Sequence, residues 1–380
     1  MKRSRIWLSV VLSAMLVLAA CGTQTGGESD APGGSDGASD DGSGAEMTSV
    51  SLQLQWVPQA QFAGYFAAVE EGYYEEEGID LEIVDGGPDV IPQQAGSAAD
   101  GPEFTISWVP KVLEAREAGS DLVNIAQIFQ RSGTLSVAWA DSGITSPADF
   151  ADKKIGVWDF GNEFEVTAAA SAEGLEQDVD YEKVIQNFDM LAFLARDIDV
   201  AEAMVYNEYA QVLETENPDT GELYTPEDMN VIDYNEVGTA MLQDAIFARA
   251  SWLAEEGNED VAEGFLRASF RGWIFCRDNP DDCVGYTTAA GSTLGSGHQA
   301  WMMNEINPLI WPSPDGIGMM DADQWQQTVD ISLDSEIIGE APPEDAFRTD
   351  LAEAALEGIE EDTTGEDFTK GTVEVTPAGE

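Results

Sequence analysis

Val50-Ser51-Leu52-Gln53-Leu54-Gln55-Trp56 alternates apolar and polar residues with a period of two, and Pro58 closes the run. That pattern predicts a strand with one buried face, ended by a residue that cannot donate to a ladder. Tyr65-Phe66, Val69 and Tyr73 then recur at helical spacing until Gly78 stops the helix. Leu81-Glu82-Ile83-Val84, closed by Gly86-Gly87-Pro88, reads as a second strand. Phe104-Thr105-Ile106-Ser107-Trp108 reads as a third, with a helix across Val112 to Ala118 behind it. Strands exchanging with helices in this way predict a parallel α/β sheet.

The exchange then repeats. Ser146-Pro147-Ala148-Asp149 opens a short helix, with Ser as cap and Pro at the first helical position. Lys154 to Trp158 reads as a strand and Glu163 to Gly174 as a helix. Lys183 to Asn187, Ala203 to Tyr206, Asn230 to Tyr234 and Ala245 to Ala248 read as further strands. A helix from Glu259 to Cys276 carries Val261, Phe265, Ala268, Gly272 and Phe275 on one face, and the rest is mostly helical through Gly358. About 310 ordered residues exceed one comfortable core, so two domains are expected.

Before this region the chain has a different character. Lys2, Arg3 and Arg5 precede an apolar run from Ile6 to Leu18, and the next residues are Ala19-Ala20-Cys21. A basic start, an apolar stretch too short for a stable span and a small-residue cleavage site make an export signal. With Cys behind Leu-Ala-Ala it resembles a bacterial lipoprotein signal, which implies cleavage before Cys21 and lipid on its thiol. The alternative is an ordinary export signal with an incidental cysteine. Residues 22–47 are rich in Gly, Ser and Asp, with one Pro and no Lys or Arg. Such a composition predicts a flexible leash of about 25–30 Å reach.

Acidic residues number 73 against 16 basic ones, for a net charge of −57. Nucleic acid is excluded as a partner, because phosphate binding needs clustered Lys and Arg. An anionic membrane surface would repel the folded part. Yet hydrophobic residues make up 43%, with 10 Trp and 15 Phe, so a core is within reach. A globular fold with this surface predicts adaptation to high salt, where screening lengths shrink to about 3 Å. The alternative is a merely acidic protein.

Beyond Cys21 the only cysteines are Cys276 and Cys283, which flank a Pro-containing turn. In an oxidising compartment they read as a local disulfide, the alternative being two free thiols. Metal binding is not expected, since no His or further Cys stands near them. The single His, His298, falls in a Gly-Ser-Gly-His stretch that reads as a surface loop. No phosphate loop, zinc spacing or dinucleotide fingerprint occurs, so neither a cofactor nor an enzyme is expected.

The residues also carry a resemblance. Leu52-Gln-Leu-Gln-Trp56-Val-Pro58-Gln-Ala-Gln61-Phe-Ala-Gly64-Tyr65 resembles a solute-binding protein of an ABC importer. So do Glu71-Gly72-Tyr73-Tyr74-Glu75-Glu76-Glu77-Gly78-Ile79, the stretch Ser146 to Val157, and Met204-Val205-Tyr206-Asn207-Glu208. The likeness spans about residues 48 to 340. The branch most resembled binds thiamine-precursor pyrimidines and, in some members, riboflavin. It implies a two-lobed periplasmic-binding-protein-like fold of type II, with two hinge strands and ligand in the interlobe cleft. Lobe one would take 48–136 and 248–345, lobe two 137–247, and 346–380 would form a C-terminal helix and acidic tail. The expected partners are a small heteroaromatic ligand and ABC permease subunits, with the chain itself a monomer.

In the fold that the resemblance implies, ligand sits between the strand ends of both lobes, as is general for open α/β sheets. The residues expected at the cleft are therefore Trp56, Gln59, Gln61 and Tyr65, then Trp108 and Trp158, then Asn162, Glu163, Asp189, Tyr206, Asn207 and Glu208. Each Trp could equally be core, and Glu163 could equally be a helix-start carboxylate. Three Trp at strand ends point to stacking on a flat ring. The scarcity of cations argues against phosphate, sulfonate or nitrate, and three stacking rings tilt the expectation towards riboflavin over a thiamine-type pyrimidine. An enzyme acting on a pyrimidine ring, or a surface sensor of the same fold, is the alternative.

Overall fold

In a computed structural model, residues 47–380 are described. The expected signal segment, the leash and the lipidation site Cys21 lie outside the described residues. Ten strands form two five-stranded sheets. They are β1 (Thr48–Gln53), β2 (Ile79–Val84), β3 (Phe104–Ser107), β4 (Leu122–Gln127), β5 (Thr134–Trp139), β6 (Lys154–Val157), β7 (Glu182–Ile185), β8 (Val200–Met204), β9 (Met229–Asp233) and β10 (Ala245–Arg249). The orders are β2-β1-β3-β10-β4 and β7-β6-β8-β5-β9, so each lobe repeats the same plan.

In each sheet the first three strands are parallel and the fourth runs against its neighbours. β10 pairs antiparallel with β3 and β4, and β5 with β8 and β9. The sheets are thus mixed, which corrects the expectation of parallel sheets. The reason is topological: β5 and β10 are the strands that enter a lobe straight from the other lobe, through connections too short for the crossover that would turn them parallel. Only short stretches, 128–133 and 234–244, join β4 to β5 and β9 to β10. Residues 134–136 belong to sheet two, and 245–247 to sheet one.

The period-two reading of the first strand holds for its apolar side, while the polar Gln53 and Gln55 are buried as well and the strand ends at Gln53. Val50 and Leu52 are buried in the lobe-one core, as are Phe104 and Ile106 of β3. On β10, Ile246 and Ala248 face that core while Ala245 and Phe247 face a second cluster with Val112, Leu113 and Val329. The long helix Asn258–Asp278 packs its apolar face on helix Ala63–Glu70. The two backbones touch at Gly64 and Gly272: a Cβ on Gly64 would overlap the Trp273 ring, and one on Gly272 the Gly64 carbonyl. Cys276 and Cys283, both fully buried, are joined across the turn between this helix and helix Pro280–Ala289, with Cα atoms 5.5 Å apart.

The C-terminal segment is no free acidic tail. Helix Asp350–Leu356 seats Leu351, Ala352 and Ala355 in the lobe-one core, and Phe368 packs on the same core. Val375 packs instead on lobe two, where Ala378 N donates to the Glu214 carbonyl at 2.9 Å. His298 is not a surface loop residue either. It lies buried in helix Ser296–Ile310, with Nδ1 at 2.9 Å from the Glu214 carboxylate and Nε2 at 3.0 Å from Asn207 Oδ1. The Gly-Ser-Gly start hid a helix that has no side-chain cap at its N-terminus.

Candidate functional site

A cleft opens where the C-terminal ends of the parallel strands of both sheets face each other. Lobe one supplies the segments after β1, β2 and β3; lobe two supplies those after β6, β7 and β8. This is the place that strand-end geometry dictates for a ligand.

Trp56, Gln59, Gln61, Trp108, Trp158, Asn162, Tyr206, Asn207 and Glu208 all line it. Three expected residues do not. Tyr65 points the other way on its helix and packs edge-on against Trp273, with ring centroids 5.7 Å apart. Glu163 folds back onto its own helix start, accepting from Gly161 N at 2.9 Å and pairing with Lys183 at 3.4 Å. Asp189 caps the next turn through Leu191 N at 2.9 Å. Both carboxylates are consumed by backbone donors at a chain turn. The structure adds Gln55, Lys111, Phe160 and Phe188, which the sequence reading passed over.

The aromatic residues cross the cleft. Phe188 touches Trp56 of lobe one, with centroids 4.3 Å apart and planes at 49°. It also lies nearly parallel to Trp158, at 6.0 Å and 18°. Phe188 was invisible as a site residue because it sits in a half-polar turn after β7 with no periodic pattern around it. Phe160 is 62% exposed and held at φ 66°, a left-handed conformation unusual for a bulky residue, at the cleft rim.

A carboxylate relay orders the lobe-one wall. Gln59 Nε2 donates to Gln61 Oε1 at 2.6 Å, and Gln61 Nε2 donates to Asp244 Oδ2 at 2.8 Å. The Trp108 indole N–H donates to the other Asp244 oxygen, also at 2.8 Å. Burial pushes the Asp244 carboxyl up to about 6. On the lobe-two wall, the Trp158 backbone N donates to buried Glu202, whose carboxyl burial holds well above the ordinary range. Glu208 accepts from Met204 N and from Asn207 Nδ2, each at 3.0 Å, and burial pushes it up to about 7. The buried Tyr206 hydroxyl is likewise raised and stays protonated.

One cation stands in this wall. Lys111 is 3% exposed, lies 5.0 Å from the Trp108 ring centroid and donates to Asn162 Oδ1 of lobe two at 3.0 Å. Burial pulls its ammonium down to about 8. Nothing in the sequence pattern marks it, because Lys111 sits not in a strand-end loop but in the first turn of the helix Val109–Glu117. Arg131, by contrast, donates to the carbonyls of Pro308, Trp311 and Pro312 and serves the fold.

Two lobes, strand-end loops and an aromatic cleft with amide edges describe a binding protein's architecture, and a family model described as NMT1/THI5 like matches residues 59–283. The chain belongs to that family. Among curated relatives, the formylaminopyrimidine-binding protein of Halalkalibacterium halodurans is 26% identical over 349 residues, covering 89% of this chain and 96% of the relative. The riboflavin-binding protein RibY of Chloroflexus aurantiacus is 26% identical over 294 residues, covering 74% and 79%. In fold the chain is similar to the periplasmic aliphatic sulphonate binding protein SsuA of Escherichia coli, with a TM-score of 0.56, 15% identity and coverage of 77% and 89%. The desulfurization enzyme DSZB shares the fold at a TM-score of 0.52 and 14% identity, covering 81% and 99%. The NMT1/THI5-like chain therefore has the two-lobed periplasmic-binding-protein-like fold, which hosts receptors and at least one enzyme.

Proposed function

We propose that this protein is an extracytoplasmic receptor of an ABC importer, tethered through lipid on Cys21, that captures a small heteroaromatic vitamin or precursor and hands it to the permease. The observation that carries the reading is the aromatic cleft edged by Gln59, Gln61, Asn207 and Glu208 at the strand ends of both lobes. Stacking on such rings contributes about 1–3 kcal/mol each by analogy with base–aromatic contacts. Closure of the two lobes would trap the ligand, and the closed form would dock on the permease. The names of the two curated relatives support both the binding role and the ligand class.

The geometry moves the ligand preference. A riboflavin reading leans on three Trp acting as one broad platform. Phe188 instead stands between Trp56 and Trp158, and the Trp108 indole is tied to Asp244 and overlaid by Lys111. Each stacking surface suits one ring rather than three fused ones. A pyrimidine of the formylaminopyrimidine kind is therefore ahead of riboflavin.

The test is calorimetry in molar salt with formylaminopyrimidine, riboflavin, an alkanesulfonate and an amino acid. Micromolar or tighter binding of the pyrimidine, recovered chemically unchanged after incubation, supports the receptor. Binding of the sulfonate alone defeats the ligand class, and conversion of the pyrimidine defeats the receptor in favour of an enzyme.

A further inference from the structure

The cleft is almost wholly acidic and neutral, which makes the placement of Lys111 its least expected feature. Its methylene stem is confined: a Cβ added to Gly161, at φ 86°, would stand 2.9 Å from Lys111 Cγ, so that backbone and the stem are closely packed. Its head spans the lobes, from helix Val109–Glu117 of lobe one to Asn162 of lobe two. The orientation of Asn162 follows from its other bond, since its Nδ2 donates to the Asp159 carbonyl at 2.6 Å and leaves Oδ1 for the lysine.

An ammonium has three donors. One goes to Asn162, and the nearby carboxylates of Asp244, Glu163 and Glu202 act on it only from beyond ion-pair distance. A buried lysine without a paired anion is costly and is kept where something completes it. Lys111 lines the cleft, with its Nζ beside the Trp108 ring.

We propose that Lys111 is a specificity-determining residue that reads a carbonyl oxygen on the ring ligand of the receptor proposed above. A neutral acceptor fits better than a full anion. Asp244 and Glu208 stand in or under the same cleft, and in ionised form each would repel a carboxylate or phosphate. It also follows that a ligand presenting an ammonium at this position is rejected, because two like charges would meet in a desolvated wall. The lysine thus separates a formamide-bearing pyrimidine from the same pyrimidine with a free amine.

The experiment is calorimetry of the wild type, Lys111→Met and Lys111→Gln against formylaminopyrimidine and its deformylated amine. The wild type should prefer the formamide at least tenfold. Lys111→Met should lose at least tenfold for the formamide while holding or gaining affinity for the amine, so that discrimination collapses. Lys111→Gln, which keeps an N–H donor, should recover part of the formamide affinity, and it carries the test should the Met variant misfold. Equal losses for both ligands, or unchanged discrimination, would overturn the role of Lys111 and leave the receptor standing. Failure of the wild type to bind either pyrimidine would remove the receptor reading, and this inference with it.

Discussion

Asp244 does not line the cleft, yet it fixes two residues that do. Its ionised carboxylate accepts from both Gln61 and the Trp108 indole. Asn at this position has one oxygen and would set an NH₂ against a donor, leaving a buried donor unpaired at a cost of about 1–3 kcal/mol. Asp244→Asn is therefore expected to weaken ligand binding about tenfold by calorimetry, with little change in fold by circular dichroism. The same argument gives a pH dependence. Below about pH 6 a proton occupies one Asp244 oxygen, so affinity should fall on acidification from pH 7.5 to 5. Glu208 titrates in the same window. The component due to Asp244 is thus the part of the fall that the Asp244→Asn variant lacks; an identical slope in variant and wild type would sink the relay. At this scale the sequence revealed residue type better than direction. Trp108 and Trp158 were legible from their places at strand ends. Tyr65, on a helix whose first six residues are all buried, had no signal to say which face it took.

At the scale of elements, the hinge is where sequence reading failed most. β4 and β5 are buried at every position, and they carry Asn124, Gln127, Thr134 and Ser136 among their apolar residues. With both faces covered there is no alternation to detect, and the buried polar residues look like loop. Those polar groups hold the crossovers. Gln243 donates to Thr134 Oγ1 at 2.6 Å and accepts from Gly133 N at 2.9 Å. Glu165, in the first turn of helix Phe164–Ala172, reaches both crossovers at once: it accepts from Ser132 Oγ at 2.7 Å and from Met241 N at 2.8 Å. Glu165→Ala strands those donors and should cost about 3 kcal/mol, read as a lower denaturation midpoint. Burial pushes the Glu165 carboxyl up to about 8. Its folded pKa lies above its unfolded value, so the native state binds the extra proton. The stability it contributes is fully present below about pH 4.5 and is lost as pH rises towards 8. Melting temperature should accordingly decline from pH 5.5 to 8.5, and less steeply in Glu165→Gln. A Gln variant with the wild-type slope would show that other groups, Glu202 and Glu208 among them, carry the effect.

Across the whole molecule, charge dominates. The chain carries −57, while its described ion pairs are mostly half-exposed Arg–carboxylate contacts such as Arg196–Asp141 and Arg348–Glu259. Pairs of this kind contribute about 0–1 kcal/mol each and cannot offset the mutual repulsion of so many unpaired carboxylates. The core, by contrast, is ordinary: two sheets with buried aromatic and aliphatic clusters on both faces. Repulsion weakens as the Debye length falls from about 10 Å at 0.1 M to about 3 Å at 1 M. The melting temperature should thus rise by at least 10 °C between 0.1 and 2 M potassium chloride. Salt also strengthens apolar burial when the ion is a kosmotrope, so the cause needs a separate probe. Guanidinium chloride at 0.3 M screens charge as well as potassium chloride does, yet it weakens burial. If screening is the cause, both salts raise the melting temperature similarly at 0.3 M, and guanidinium becomes destabilising only at higher concentration. A fall in melting temperature with the first tenths molar of guanidinium, against a rise with potassium chloride, would assign the salt response to burial and remove the argument for an acidic surface adapted to brine.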